Sequence, residues 1–444
     1  MLQLVQSMVR LPWGTSVFGV QQILNLLSAG GARTDEGTFY SATTGIVEQF
    51  ASSPLVFGAY QLGDETQKAA VDLIWDVLEL QAFKPDWITG KAGAIAERSV
   101  AAARALTPGD NLRLTIAQLR NSYGVINLVN QAPGMLNLPA GPIDLPQAID
   151  RAYSFGDYSP LWLVEGLGEA YATRNWSPLA PVRDLLTTGQ GAGLPDKSLL
   201  MMHAGIGISF ARQLIRALTP VTPEDQIALA LRAFIDLVCT NSREGYEGPA
   251  FESLGLVAHT WYAKMVPLID KLLWTIDRDV LEYFWHGVGR STYFTPLDLL
   301  PGATAFQGVQ LEAPHRLALL NATAGAAWAF TLVSIREPEV LWNLVRNHAS
   351  SLSGDDAFTN GLVSSVLMAN DTIPGDPHTA RLCSYVPNSA DPATHHSWNT
   401  LVRHPCQRAS EEFFPVLKTH GRLGEVFRYQ DLGALVGQLG LVGK

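Results

Sequence analysis

Residues 281–294 read LEYFWHGVGRSTYF, five aromatic side chains and two glycines around His286, with Glu282 and Arg290 the only formal charges. Asp279, Tyr283, His286 and Arg290 follow the spacing i, i+4, i+7, i+11, which is one stripe along a helix. The other faces hold Val280, Leu281, Phe284, Trp285 and Val288. A helix that is apolar except for one polar stripe belongs in an interior, with the stripe lining a polar space. The competing reading places Asp279 and Arg290 in solvent at the two helix ends and makes His286 a hydrogen-bonded core histidine.

The glycines of this stretch belong to a wider pattern. Glycine inside a helix is worth about 1 kcal/mol less than alanine, so its repeated use asks for a packing reason, and close approach of a neighbouring helix supplies one. Small-residue segments recur as VEGLGEAY, HAGIGISF, FESLGLVA, HGVGRSTY, ATAGAAWAF and TNGLVSSV, with reference glycines at 168, 207, 255, 289, 325 and 361. The steps of 39, 48, 34, 36 and 36 residues match the period of helix-pair repeats. A chain with 39 glycines also offers such periods by chance. Glu165, Glu252 and His286 each precede a reference glycine by three residues and so share its helix face; His203 precedes Gly207 by four. If glycine marks the inner, close-packed face, these side chains converge at the centre of a closed ring.

The expected fold is therefore all-α, with helical hairpins stacked or closed into an α/α ring around an internal cavity. Helical spacing is also plain in DETQKAAVDLIWDVLELQAF, DKSLLMMHAGIGISFARQLIRAL and PEDQIALALRAFIDLVC, whose starts carry cap and acidic residues. Alternating strand patterns are scarce. The Pro/Gly-rich stretch 132–146 suggests a boundary, giving an N-terminal helical region over 1–145, a glycine-marked repeat body over 146–370 and a loop and helical tail over 371–444.

Composition restricts the function classes. Charged residues are 16%, against roughly 25% in an average soluble domain, while apolar residues stay at 47%, which implies a large interior. The formal charge of −10, without basic runs, argues against nucleic-acid and anionic-membrane partners, which need clustered Lys and Arg. Cys239, Cys383 and Cys406 are widely spaced and form no CxxC pair, as in a reduced, cytoplasmic protein. The N-terminus lacks a secretory pattern. Residues 317–335 run uncharged for nearly the length of a bilayer span, but Asn321, Thr323, Thr331 and Ser334 and the absence of a second span favour a buried helix.

Other constellations are weaker. Asp355 and Asp356 ahead of Asn360 and Ser364 have the residue types to hold magnesium and a diphosphate, although helix capping explains them as well. His395, His396, His404 and Cys406 suit zinc by type and not by spacing. Glu252, following Pro249, also fits a first-turn carboxylate. No GxSxG elbow, Walker A loop or strand-linked GxGxxG occurs. Neither a bound metal nor a cofactor is expected.

GPAFESLGLVAHTWY and YFWHGVGRSTYF resemble segments of an uncharacterised bacterial family met in enediyne and other natural-product gene clusters. The resemblance covers about residues 200–335 and implies that Phe251, Glu252, Gly255, Gly287, Gly289, Arg290 and Phe294 are recurrent positions, without assigning them a reaction. The residues themselves point to a soluble protein that takes an apolar small molecule into a buried cavity and works on it by acid/base chemistry of the cyclase or isomerase type, with His286, Arg290, Glu252, Glu165, His203 and Tyr283 as candidate catalytic residues. A non-catalytic helical-repeat binding or scaffold protein is the alternative, and a magnesium-dependent isoprenoid-diphosphate cyclase is a further one.

Overall fold

The computed structural model describes residues 110–177, 180–294, 303–389 and 391–442. The helix expected at 64–83, and the N-terminal region as far as residue 109, lie outside these. The chain divides into the units Met1–Arg120 and Asn121–Lys444, upstream of the Pro/Gly stretch, and the helices that position the candidate residues all belong to the second unit. No strand occurs among the described residues.

Six helices carry the six small-residue segments: α1 (Ser159–Asn175), α2 (Leu199–Ile215), α3 (Gly248–Trp261), α4 (Arg278–Phe294), α5 (Arg316–Ser334) and α6 (Ala357–Thr372). Each packs along its length against the next in chain order, and α6 also touches α1 and α2. Buried runs such as Leu199–Ala211 on α2 and Tyr283–Tyr293 on α4 cover every face of the helix, so the apolar periodicity expected of a surface helix is missing. The helices between them differ. Glu224–Asn241 buries Ile227, Ala228, Leu231, Phe234, Leu237 and Val238, a single stripe laid against α2. Val266–Ile276 packs on α4 in the same manner, and Ala303–Glu312 on α5. Fully wrapped and one-faced helices thus alternate along the chain.

Local chemistry fixes where these helices start. Pro160 and Pro249 occupy first turns, where the missing N–H costs nothing. At α4 the Asp277 carboxylate accepts the N–H groups of Asp279 and Val280 at 3.0 and 3.1 Å. At α5 the cap is His315, whose Nδ1 accepts from the Ala318 amide at 3.1 Å.

Glycine sets the spacing between wrapped helices. A Cβ on Gly255 would lie 1.8 Å from the Phe284 carbonyl oxygen of α4, and one on Gly289 would lie 1.9 Å from the Ala322 oxygen of α5. These are backbone-to-backbone contacts that no side-chain rotation relieves. The long helix α5, uncharged after Arg316, is apolar and long enough to cross a bilayer by length and composition, and 78% of its most apolar window is buried against protein.

Beyond α6 the chain returns to the body. Its helical segments include two π-helical stretches, Asn399–Arg403 and Ala409–Phe413, on either side of His404–Arg408. The short 3-10 turn Leu423–Phe427 is docked by the Gly424 amide on the Gly245 carbonyl at 2.9 Å, and it sends Phe427, fully buried, against Trp328 of α5 with ring centres 5.7 Å apart.

Candidate functional site

The stripe read from residues 279–290 runs from solvent into the interior. Asp279 is exposed and pairs loosely with Arg428 at 3.5 Å. Tyr283 is buried but turns toward the tail, its ring beneath the Arg428 guanidinium at 5.2 Å and beside Phe251 at 5.9 Å. His286 and Arg290, one and two turns further in, are enclosed: their side chains are 1% and 4% exposed.

Four of the six candidate residues meet there, contributed by three helices. Arg290 of α4 places Nη2 at 2.6 and 2.8 Å from the two carboxylate oxygens of Glu165 on α1, and Nη1 at 3.1 Å from Oε2 of Glu252 on α3. Glu252 Oε1 lies 2.9 Å from Nδ1 of His286. A carboxylate only accepts, so Nδ1 carries a proton and donates it, and Nε2 is the ring nitrogen that faces away from Glu252. That atom is buried without a hydrogen-bond partner, as is Nε of Arg290. The walls are aromatic: Trp328 lies under the Arg290 guanidinium at 4.9 Å, and the rings of Trp328 and Phe427 each stand 6.2 Å from that of His286.

The two carboxylates are unlike. Burial pushes the Glu165 carboxyl above the usual range, and Arg290 offsets this only in part. Burial acts on Glu252 too, but Arg290 and His286 together overcome it and hold Glu252 below the usual range. Burial works against the Arg290 charge, and the two carboxylates outweigh it and raise its pKa. Two groups of one kind held in opposite directions, with a charged donor between them, form an arrangement suited to holding and passing a proton.

His203 stands apart. Its Nδ1–H donates to the Leu199 carbonyl at 2.6 Å, its Nε2 accepts from the Arg243 amide at 3.0 Å, and its ring stacks on Tyr246. With both nitrogens satisfied, it ties α2 to the start of the 243–247 segment. Burial holds its pKa down, from 6.5 to about 4.

The other sequence candidates serve local structure. Asp355 accepts the Ala357 amide, Asp356 accepts the Tyr429 hydroxyl, and Asn360 donates to the Gln430 carbonyl. Asp356 and Asn360 also line a surface cleft of about 440 Å³ with His404 and Arg408. His395 bonds the Ser389 carbonyl at 2.7 Å, and no three His, Cys, Asp or Glu side chains gather as metal ligands among the described residues.

Two groupings have no counterpart in the sequence motifs. Ser291 Oγ, His259 Nδ1 and Glu312 Oε2 form a chain with both links at 2.8 Å, and the Thr260 hydroxyl also reaches Ser291 at 2.8 Å. The order is that of nucleophile, base and orienting acid. Ser291, however, is fully buried within α4, where the backbone amides belong to the helix and none is left for an oxyanion. These side chains form a polar tie between α3, α4 and helix Ala303–Glu312. The second grouping is Cys383 with Cys406, 23 residues apart in sequence: Cys406 beside it lowers the Cys383 thiol, burial raises that of Cys406, and Ser410 lies 3.8 Å from the Cys383 sulfur. Neither grouping has a spacing signal, because each joins separate helices. No family model, curated protein or solved structure matches this chain.

Proposed function

We propose that residues 121–444 form a closed ring of wrapped inner helices backed by one-faced outer ones, and that its interior houses an acid/base site of the isomerase or cyclase type for an apolar small molecule. Support for the ring comes from the chain-order packing of α1–α6 and the contacts of α6 with α1 and α2. One observation carries the enzyme reading: Glu252 takes His286 Nδ1 and leaves Nε2 buried with no partner. An imidazole oriented by a carboxylate at one nitrogen and open at the other is the arrangement of a general base, and its conjugate acid returns the proton. Arg290 is the fixed positive charge, and Glu165, whose carboxyl is pushed up by burial, is its second carboxylate partner beside Glu252. The resemblance of residues 248–262 and 283–294 to a family of natural-product clusters supports a place in specialised metabolism. The low, unclustered positive charge and three free cysteines support a soluble, cytoplasmic protein.

A non-catalytic binding or scaffold role has its own supporting observation, the two-sided pairing of Arg290 with Glu165 and Glu252, since structural ion-pair networks look the same from within. Isotope incorporation separates the two. The full chain is incubated in deuterated water with an apolar metabolite extract, and mass spectrometry follows deuterium uptake and product formation. The enzyme reading expects a compound that gains deuterium or changes retention with the wild type and not with His286→Gln or Glu252→Gln, both variants remaining folded. Variants that lose stability in parallel with any activity, or an extract left unchanged by the wild type, would decide for the scaffold.

A further inference from the structure

Three neighbouring side chains of the interior each keep a buried polar atom without a partner: His286 Nε2, Arg290 Nε and the indole Nε1 of Trp328. Trp328 links the other two, with the guanidinium 4.9 Å from its ring centre and the imidazole centre 6.2 Å from it. Each is the leftover capacity of a group otherwise engaged, since Nδ1 of His286 and both Nη atoms of Arg290 have carboxylate partners. A buried polar group with no partner costs about 1–3 kcal/mol, and three on neighbouring side chains call for an occupant that completes them.

Charge decides what that occupant is. Arg290 is already shared by two carboxylates, Glu165 and Glu252, so the cluster holds two negative groups against one fixed positive one. A carboxylate or phosphate would add a third negative charge in a space closed to water, where repulsion is strongest. Two of the three open atoms are N–H donors that require an acceptor, and the walls are Trp328 and Phe427. We infer that the substrate of the proposed site is an uncharged carbonyl compound, its oxygen taken by Arg290 Nε–H and Trp328 Nε1–H and an adjacent C–H presented to His286 Nε2. This rests on the acid/base reading above and gives it a substrate class and a further residue, Trp328.

The step balances without a cofactor. Nε2 takes a proton from the carbon next to the carbonyl; the C–H electron pair becomes a C=C bond and the C=O π pair moves onto oxygen, where the two donors meet the developing charge. In a β,γ-unsaturated carbonyl compound the enolate is a dienolate: the imidazolium returns the proton to its γ carbon, a double bond is left between the α and β carbons, and the C=O bond reforms in the α,β-unsaturated isomer.

The test uses the full chain labelled with 15N-tryptophan and two probes of one shape, neutral acetophenone and anionic benzoate. Of the eleven tryptophans, the indole signal absent from Trp328→Phe, or from Trp328→Tyr should the first variant not fold, is that of residue 328. Acetophenone is expected to move this N–H signal downfield, and benzoate to need a concentration at least about tenfold higher. Benzoate acting at the same or lower concentration, or no movement up to the solubility limit of acetophenone, overturns the inference. Deuterium exchange into the acetophenone methyl group, lost in His286→Gln, reads the base separately. A moving indole signal with no exchange keeps the carbonyl site and removes the base; exchange with a stationary signal keeps the base and removes the site.

Discussion

Replacing Gly255 by alanine tests the packing on which the whole interior depends, because two effects of opposite sign compete at that position. In an exposed helix the change is favourable by about 1 kcal/mol, since alanine restricts the unfolded chain and glycine does not. At Gly255 the new methyl carbon would stand 1.8 Å from the Phe284 carbonyl oxygen and 2.8 Å from the Val288 amide nitrogen, both backbone atoms of α4. Ordinary contact begins near 3.4 Å, so α3 and α4 have to part by well over an ångström. Overpacking of this kind costs typically 1–3 kcal/mol, and a shift of two helix backbones belongs at the upper end. Net destabilisation of about 2 kcal/mol is expected after the propensity gain, and Gly289→Ala, 1.9 Å from the Ala322 oxygen, should behave alike. Gly437 is the control: a methyl carbon there would have nothing within 4 Å, so Gly437→Ala should be neutral or stabilising by up to about 1 kcal/mol. Urea unfolding of the three variants, with m compared to ensure the same transition, gives the differences. Gly255→Ala and Gly289→Ala as stable as the control would refute the close-packed interior.

Other expectations address charge and thiols. Arg290→Met leaves Glu165 and Glu252 facing each other without a cation and should destabilise by about 3–5 kcal/mol near neutral pH, with part recovered in acid as the carboxylates take protons; an unchanged unfolding midpoint would remove the ion cluster from the interior. His203, neutral in the fold with its pKa lowered from 6.5 to about 4, contributes stability that is fully present above pH 6.5 and lost as pH falls toward 4, on the order of 3 kcal/mol. Its ring signal in a proton NMR titration should therefore move near pH 4, and a midpoint near 6.5 would contradict its burial between Leu199 and Arg243. Peroxide treatment of the full chain should join Cys383 to Cys406, with loss of two hydrogen atoms, and leave Cys239 out of the bond; a linked peptide containing Cys239, or none at all, counts against the thiol contact.

Much of the site is legible in the sequence because its first determinant is local. A helix of 3.6 residues per turn puts a residue three before a glycine on the glycine's own face, whatever the helix later packs against. Glu165, Glu252 and His286 obey that spacing and arrive at one centre with Arg290. His203 is out of step by one residue, which turns its side chain by about 100° around the helix axis, and it bonds the backbone instead. Tyr283, on the same stripe as His286, lies nearly a full turn earlier, at the level where the returning tail brings Arg428.

Periodicity within single helices is enough to expect a helical fold, to single out six small-residue segments, and to tell which polar side chains share a face with their glycines. The partners of those side chains come from the packing of separate helices. Arg290 meets Glu165 across 125 residues and Glu252 across 38, while Trp328 and Phe427 close over His286 from α5 and from the tail. Such pairings depend on the relative height and rotation of helices far apart in the chain, and those are set where backbones touch, at contacts such as Gly255 on Phe284 and Gly289 on Ala322. No spacing within one helix encodes its register against another, which is why the residue types of the site can be read from the amino-acid order and its hydrogen bonds cannot.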